Sequence, residues 1–272
     1  MKDKRSHFQI RVAAVKRLAM WHLLNKRLGL VLISEFPKSG GSWFAQMTSD
    51  ALQIPFPRNK SPKFESCIMH GHHLYNPNFG KMIAIMRDGR DVMVSAYYHF
   101  LFENDRNPPY SIAKHRAKVN FENYDDIQTN MPAFIQYMFE GFAEGRTHFN
   151  WSEGVNSYYD QPQVCIVKYE DLLKDAAHEL ERTISFLGKP KLAKAELQTI
   201  VEKYSFKKLA KRKQGEENKK SFLRKGIAGD WKNNFTKEAC EMFAHYAGKE
   251  LIKAGYENDH NWIKAYVSAE SH

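Results

Sequence analysis

Residues 36–43 of this chain, Phe36-Pro37-Lys38-Ser39-Gly40-Gly41-Ser42-Trp43, run from an apolar segment into a helix-like one. A strand, a glycine turn and a helix N-terminus together make an anion cradle. Backbone N–H groups point outward there, and the helix dipole favours negative charge. Lys38 adds a cation suited to nucleotide phosphates, and Trp43 adds a ring that can stack on a base. A Walker A loop, GxxxxGK followed by Ser or Thr, has its lysine after the second glycine. Lys38 precedes both glycines, so the ordinary NTPase pattern fails.

Two further segments offer cations. Arg87-Asp88-Gly89-Arg90-Asp91-Val92-Met93-Val94-Ser95 follows a second apolar run. Arg87 is expected at the carboxyl end of a strand, where open α/β sheets bind ligands. Its planar fork suits phosphate, and Ser95, inside the next helix, can add a hydroxyl donor. A surface salt bridge among Arg87, Asp88 and Arg90 is the plainer reading. In Arg224-Lys225-Gly226, two cations and one bare backbone can approach an anion together, although for this segment alone a solvated basic loop is the leading reading. Three histidines, His70, His72 and His73, lie between the first two cationic segments. In extended chain His70 and His72 face one way and His73 the other. On residue type alone a structural or surface role leads for each, and with Cys67 nearby metal ligation is a further reading.

The elements that must position these residues are readable in outline. Leu30–Phe36, Lys81–Met86 and Val164–Tyr169 are nearly continuous apolar runs, which suits buried parallel strands. Each is followed by a polar turn and a helix-like stretch, at Ser42–Leu52, Asp91–Phe102 and Leu172–Leu187. Strand, turn and helix repeated in this way predict an α/β fold with a central parallel sheet flanked by helices. Residues 103–163 are rich in Asn, Pro, Gly and aromatics, with a helix expected over Met131–Phe142. Phe102, Tyr75, His148, Phe149 and Trp151 are candidates for the apolar wall of a ligand site or for core. Residues 1–29 form a basic helical segment, and 30–272 a single domain. On a helical wheel Met20, Trp21, Leu24 and Leu28 share one side, and Arg11, His22 and Lys26 another. Val12, Val15 and Leu23 break the polar face. This helix is expected to pack on the body of the protein, with peripheral membrane contact as the alternative.

Composition narrows the classes. The 272 residues carry 41 Lys+Arg and 31 Asp+Glu, a net charge of +10, so an anionic partner is expected. Ten of those cations fall between Lys203 and Lys225, with Glu216 and Glu217 the acids there. Nucleic acid would call for interleaved exposed aromatics or a known motif, and neither is present. The 43% hydrophobic content excludes a disordered chain. Cys67, Cys165 and Cys240 form no CxxC pair and fit a reducing compartment. No apolar run approaches the roughly 20 residues of a membrane span. A cytoplasmic location is expected.

PKSGGSW, RDGRDVMVSAYYHF, KYEDL and RKGIAGDWKNNFT, in this order, resemble the cytosolic-type sulfotransferases that use 3′-phosphoadenosine 5′-phosphosulfate (PAPS). The resemblance implies a P-loop-like turn and sulfuryl transfer from PAPS to a hydroxyl or amine of a small-molecule, lipid or glycan acceptor. The product nucleotide is then PAP, and no metal takes part. Lys38, Ser39, Gly40, Gly41 and Ser42 match the 5′-phosphosulfate loop, with Gly41 where the family often has Thr. Trp43 matches the ring that stacks on adenine. Arg87 and Ser95 match the 3′-phosphate pair, joined by Arg224, Lys225 and Gly226, while Tyr169 and Ser205 match positions at the nucleotide pocket. Aligned on the spacing to Arg87, His72 takes the position of the general base, and His70 stands where animal members often have Lys. Lys38 and Ser95 are thereby implied in catalysis too, Ser95 by engaging Lys38 until the acceptor arrives. The competing readings are a P-loop small-molecule kinase and a basic anion- or membrane-binding module without catalysis. The family's dimer motif retains Lys232, Thr236 and Glu241 here, but Lys237 replaces its central Val, which implies a monomer or weak homodimer.

Overall fold

The three apolar runs become strands, and a fourth strand joins them at one edge. The computed structural model describes residues 7–58, 60–107, 109–142, 147–264 and 266. In chain order, α1 (His7–Ala19), a π-turn (Met20–Leu24), α2 (Asn25–Leu28), β1 (Val31–Glu35) and α3 (Gly41–Leu52) come first. Next are β2 (Ile68–Gly71), β3 (Met82–Met86), α4 (Gly89–Leu101), α5 (Pro109–Val119), α6 (Ile127–Gln136) and α7 (Trp151–Tyr158). The chain ends with β4 (Val164–Lys168), α8 (Tyr169–Phe186), α9 (Lys194–Lys203), α10 (Phe206–Ala210) and α11 (Lys237–Lys253). They fall into two interleaved units: Met1–Glu35, Gly40–Ile85 and Asp160–Ser205 in the first, and Phe36–Ser39, Met86–Tyr159 and Phe206–His272 in the second.

The first unit holds the sheet, in the order β2-β1-β3-β4. β1 pairs in parallel with both neighbours, Val31 opposite Ile68 and Leu32 opposite Met82. Every residue of β1 is buried, so no polar alternation marks it. Ile33, Ile83, Ile85 and Val167 pack with Phe44 and Met47 of α3, Leu172, Leu180 and Ile184 of α8, and Leu197 of α9. β2 has no such run: it is short, lies at the edge, and half-exposes His70 and Gly71. The N-terminal helical segment packs through Met20 and Trp21, which are fully buried.

In the second unit α4 is buried along most of its length and packs on α5 and α6. It begins at Gly89, two residues ahead of the expected start, because the Asp88 side chain accepts the Arg90 N–H and caps it. Arg87, Asp88 and Arg90 do not form a surface bridge. Arg90 is 2% exposed, lies between the Trp231 and Trp262 rings at 3.9 and 4.7 Å, and pairs with Asp88 and Glu257. The helix expected over Met131–Phe142 is divided: α6 ends at Gln136 and a π-turn spans Tyr137–Gly141.

Candidate active site

The glycine loop brings together groups that sequence alone leaves apart. Gly40 caps α3 at φ +104°, in the left-handed region, and a Cβ there would sit 2.8 Å from the Tyr169 ring. Only glycine meets both conditions. Trp43, in the first turn of α3, donates its indole N–H to the Tyr204 carbonyl at 2.8 Å and meets Tyr169 edge-on at 6.0 Å. Trp43, Tyr169 and the Tyr204–Ser205 segment are therefore neighbours within the first unit. Ser39 donates its hydroxyl to the Phe36 carbonyl at 2.8 Å and is buried, so it holds the loop's own turn. Ser42 is half-buried in the first turn of α3.

Gly41 has a separate role. A Cβ there would lie 2.7 Å from both the Glu35 carboxyl carbon and His70 Nε2. Glu35, at the end of β1, accepts the Gly41 N–H with one carboxylate oxygen and meets His70 Nε2 with the other at 3.0 Å. The amide of Gly41 thus points to Glu35. The Glu35 main-chain oxygen lies 2.9 Å from His72 Nδ1. A carbonyl oxygen can only accept, so Nδ1 carries a proton, and whenever the ring is neutral its lone pair lies on Nε2. Burial works against the charge on Glu35. The hydrogen bond and charge of His70, the charge of His72 and the Gly41 amide outweigh it and hold the carboxyl below its ordinary value. The remaining histidine, His73, takes a different place: its backbone N–H donates to Ser34 Oγ and its ring packs on Trp21.

In the second unit Lys38, Ser95, Tyr98, His99, Asn104, Lys219, Ser221, Phe222 and Arg224 line one cavity. The Lys38 ammonium rests 3.9 Å from the centre of the Phe222 ring. Arg224 pairs with Asp230 and Glu217, and Lys225 with Asp230 at 2.7 Å. Burial would raise the Asp230 carboxyl, but hydrogen bonds from Lys225 and Arg224 hold it below its usual value. Gly226 has φ +69°, and a Cβ there would strike the Phe206 ring. Arg87 donates to the Ile227 carbonyl at 3.0 Å and the Lys38 carbonyl at 3.4 Å, and faces Asp91 at 3.6 Å. Asp91 in turn accepts the N–H groups of Gly229 and Trp231 at 2.7 and 2.9 Å. It ties the start of α4 to the loop bearing Arg224. His99 is pushed down to about 2, by burial first and by the Lys38 charge next, so it lines the cavity as a neutral ring. This set of cations, hydroxyl and neutral donors fits a phosphate-bearing nucleotide.

Glu35, Asp91 and His99 are missed by sequence reasoning. An acid beside an anion site reads as the wrong charge, and no spacing reveals that β1 ends within reach of His70. Of the acceptor-wall candidates, Phe149 and Trp151 are core residues of the second unit, Trp151 donating its indole N–H to the Arg87 carbonyl at 3.1 Å. His148 is exposed and Tyr75 half-buried. Burial pushes the Cys67 thiol up to about 11, and among the described residues no His, Cys, Asp and Glu cluster has metal-holding geometry. No described helix is long and apolar enough to cross a membrane.

Residues 71–255 match the family model of the sulfotransferase domain, a range that starts after the glycine loop and His70. The chain is 26% identical to Sulfotransferase 1E1 of Cavia porcellus over 264 residues, 79% of this chain and 81% of that one. It is 27% identical to human Sulfotransferase 2A1 over 254 residues, 78% of this chain and 81% of the relative. The crystal structure of mouse sulfotransferase SULT7A1 complexed with PAP has a similar fold, with TM-score 0.63 and 19% identity over 90% of this chain and 94% of that one.

Proposed function

We propose, for a chain that belongs to the sulfotransferase domain family and is a PAPS-dependent sulfotransferase, that it moves the sulfuryl group to a hydroxyl or amine of a small acceptor with His72 as general base. One observation carries the base assignment: the hydrogen bond from His72 Nδ1 to the Glu35 carbonyl leaves Nε2 as the basic nitrogen. An imidazole in that tautomer takes the acceptor's proton at Nε2 as the acceptor oxygen or nitrogen attacks sulfur. His70 is occupied by the Glu35 carboxylate, so the two histidines divide into a base and a partner of Glu35.

The nucleotide phosphates supply the charge that the cavity's cations match. Arg87, Ser95, Arg224, Lys225 and Gly226 hold the 3′-phosphate in this reading, and Trp43 with Tyr169 and Ser205 frames the adenine. Ser39, Gly40, Gly41 and Ser42 shape the 5′-phosphosulfate turn. Lys38 stabilises the charge that grows on the bridging oxygen of the leaving nucleotide, and Ser95, lining the same cavity, steadies its ammonium.

The test is turnover with PAPS and a panel of a phenol, an aliphatic alcohol and an amine. His72→Ala is expected to retain PAP binding and lose transfer on the order of 10²-fold or more, least with an already ionised phenol. Should His70→Ala abolish transfer while His72→Ala leaves it intact, the base is His70. ATP with Mg²⁺ in place of PAPS tests the kinase reading in the same assay.

A further inference from the structure

The N-terminal helical segment buries one face and leaves an apolar face outward. Ala13, Met20 and Trp21 are buried, whereas Val12, Val15, Leu18 and Leu23 are 47%, 67%, 41% and 79% exposed. Val12, Val15 and Ala19 follow one another at three- and four-residue intervals in α1, which at 3.6 residues per turn makes a single stripe, and exposed Leu23 lies four residues on, in the π-turn. Half of the eight large hydrophobic side chains exposed among the described residues fall in this one segment. A fifth, Phe64, 61% exposed, stands beside it: the Lys16 ammonium lies 4.2 Å from its ring centre. Arg17 donates to the Arg58 and Lys60 carbonyls and so fixes this loop against α1. Concentrated exposure of this kind marks an interaction surface, since scattered single residues are the rule elsewhere.

The charge around the stripe selects the partner. From residue 7 to residue 34 the chain has Arg11, Lys16, Arg17, Lys26 and Arg27 and no Asp or Glu. The adjoining loop adds exposed Lys60 and Lys63 against Glu65. A second copy of the chain laid face to face on this surface would bring like charges together. A nucleic-acid backbone would meet the cations but leave Val15 and Leu23 without an apolar partner. An anionic bilayer satisfies both parts, with acyl chains for the stripe and headgroups for its basic flanks.

We propose that the outward face of residues 11–27, together with Phe64, is a docking surface for anionic lipid membrane. The contact is peripheral: the stripe enters the headgroup–acyl boundary while Met20 and Trp21 stay packed on the protein. The Trp21 ring packs against that of His73, tilted by 40° with centroids 4.4 Å apart, in the segment that carries His70 and His72, so a bilayer-held helix is anchored directly to that segment.

The experiment is co-sedimentation of the full chain with vesicles of phosphatidylserine and phosphatidylcholine, or of phosphatidylcholine alone. The wild type is expected to pellet with the anionic vesicles, to stay in solution with the neutral ones, and to be released by high salt. Leu23→Asp is expected to lower the vesicle-bound fraction at least about tenfold, and Leu23→Phe to retain it. Circular dichroism and PAP binding of both variants check that the fold is intact, and Val15→Asp repeats the test at a second site. The proposal is overturned if the wild type ignores anionic vesicles, or if Leu23→Asp and Val15→Asp bind as it does. It is equally overturned if the wild type is a dimer that Leu23→Asp converts to monomer, because a second copy then covers the face.

Discussion

At the scale of single residues, the candidate phosphate-binding cations differ in the groups beside them. Lys38 rests on an aromatic face in a non-glycine left-handed conformation, φ +77°, whereas Arg224 and Lys225 are held by Asp230. In the proposed reading Lys38 meets the charge that grows on the leaving oxygen. Lys38→Ala is therefore expected to lower kcat on the order of 10²-fold while PAP affinity changes much less, as single-turnover kinetics and titration would read. Loss of PAPS affinity with unchanged kcat makes Lys38 a binding residue. His99 gives a pH signature. Its folded pKa, about 2, lies below the ordinary 6.5, so below 6.5 the unfolded chain binds a proton that the fold refuses. Stability from this residue is complete above pH 6.5 and falls as pH drops, by about 1.4 kcal/mol per pH unit once the unfolded histidine is fully charged. His99→Gln is expected to flatten urea-derived stability between about pH 4 and 5.5, and an unchanged slope would refute the burial account. The cations stand out in the sequence as candidates because they lie in short glycine-bearing motifs, although a solvated loop or a salt bridge explains each motif taken alone. Glu35 does not: its role comes from the end of β1 facing β2, a pairing between residues 35 positions apart.

At the scale of elements, parallel strands were legible where burial on both faces left unbroken apolar runs, as in β1 and β3. β2 was hidden because its carboxyl end carries His70, which pairs with Glu35, and Gly71, where a Cβ would meet the His73 ring at 2.8 Å. Helix starts were displaced for a local reason. A cap such as Asp88 or a turn such as Gly40 begins the helix, and the apolar period shows only afterwards. The start of α3 can be tested. Gly40→Ala places a Cβ against the Tyr169 ring at positive φ, and is expected to cost about 1–3 kcal/mol and to weaken PAP binding through the displaced ring. Thermal unfolding with and without PAP reads both effects. If Gly40→Ala left Tm and PAP affinity at wild-type values, the close packing of loop and Tyr169 would not constrain the site.

At the scale of the whole molecule, the family's dimer motif falls at the start of α11, so any self-association through it would turn on Lys237. Thr236 caps that helix, its side chain accepting the Ala239 N–H, and Lys237 and Glu241 stand 3.7 Å apart, 65% and 56% exposed. A small two-fold contact depends on an apolar centre that excludes water, and a charged pair at that centre has to be desolvated twice, once from each copy. The net charge of +10 adds a general repulsion between copies. We expect sedimentation to find the chain monomeric or weakly dimeric through this surface. Lys237→Val removes one charge and supplies the apolar centre, so it is expected to strengthen association about tenfold or more, the worth of roughly 1.4 kcal/mol. Lys237→Glu leaves a charge there, beside Glu241, and is expected to leave a monomer unchanged. A tight wild-type dimer that Lys237→Glu breaks would instead show the lysine itself to be the contact, paired with an acid of the second copy.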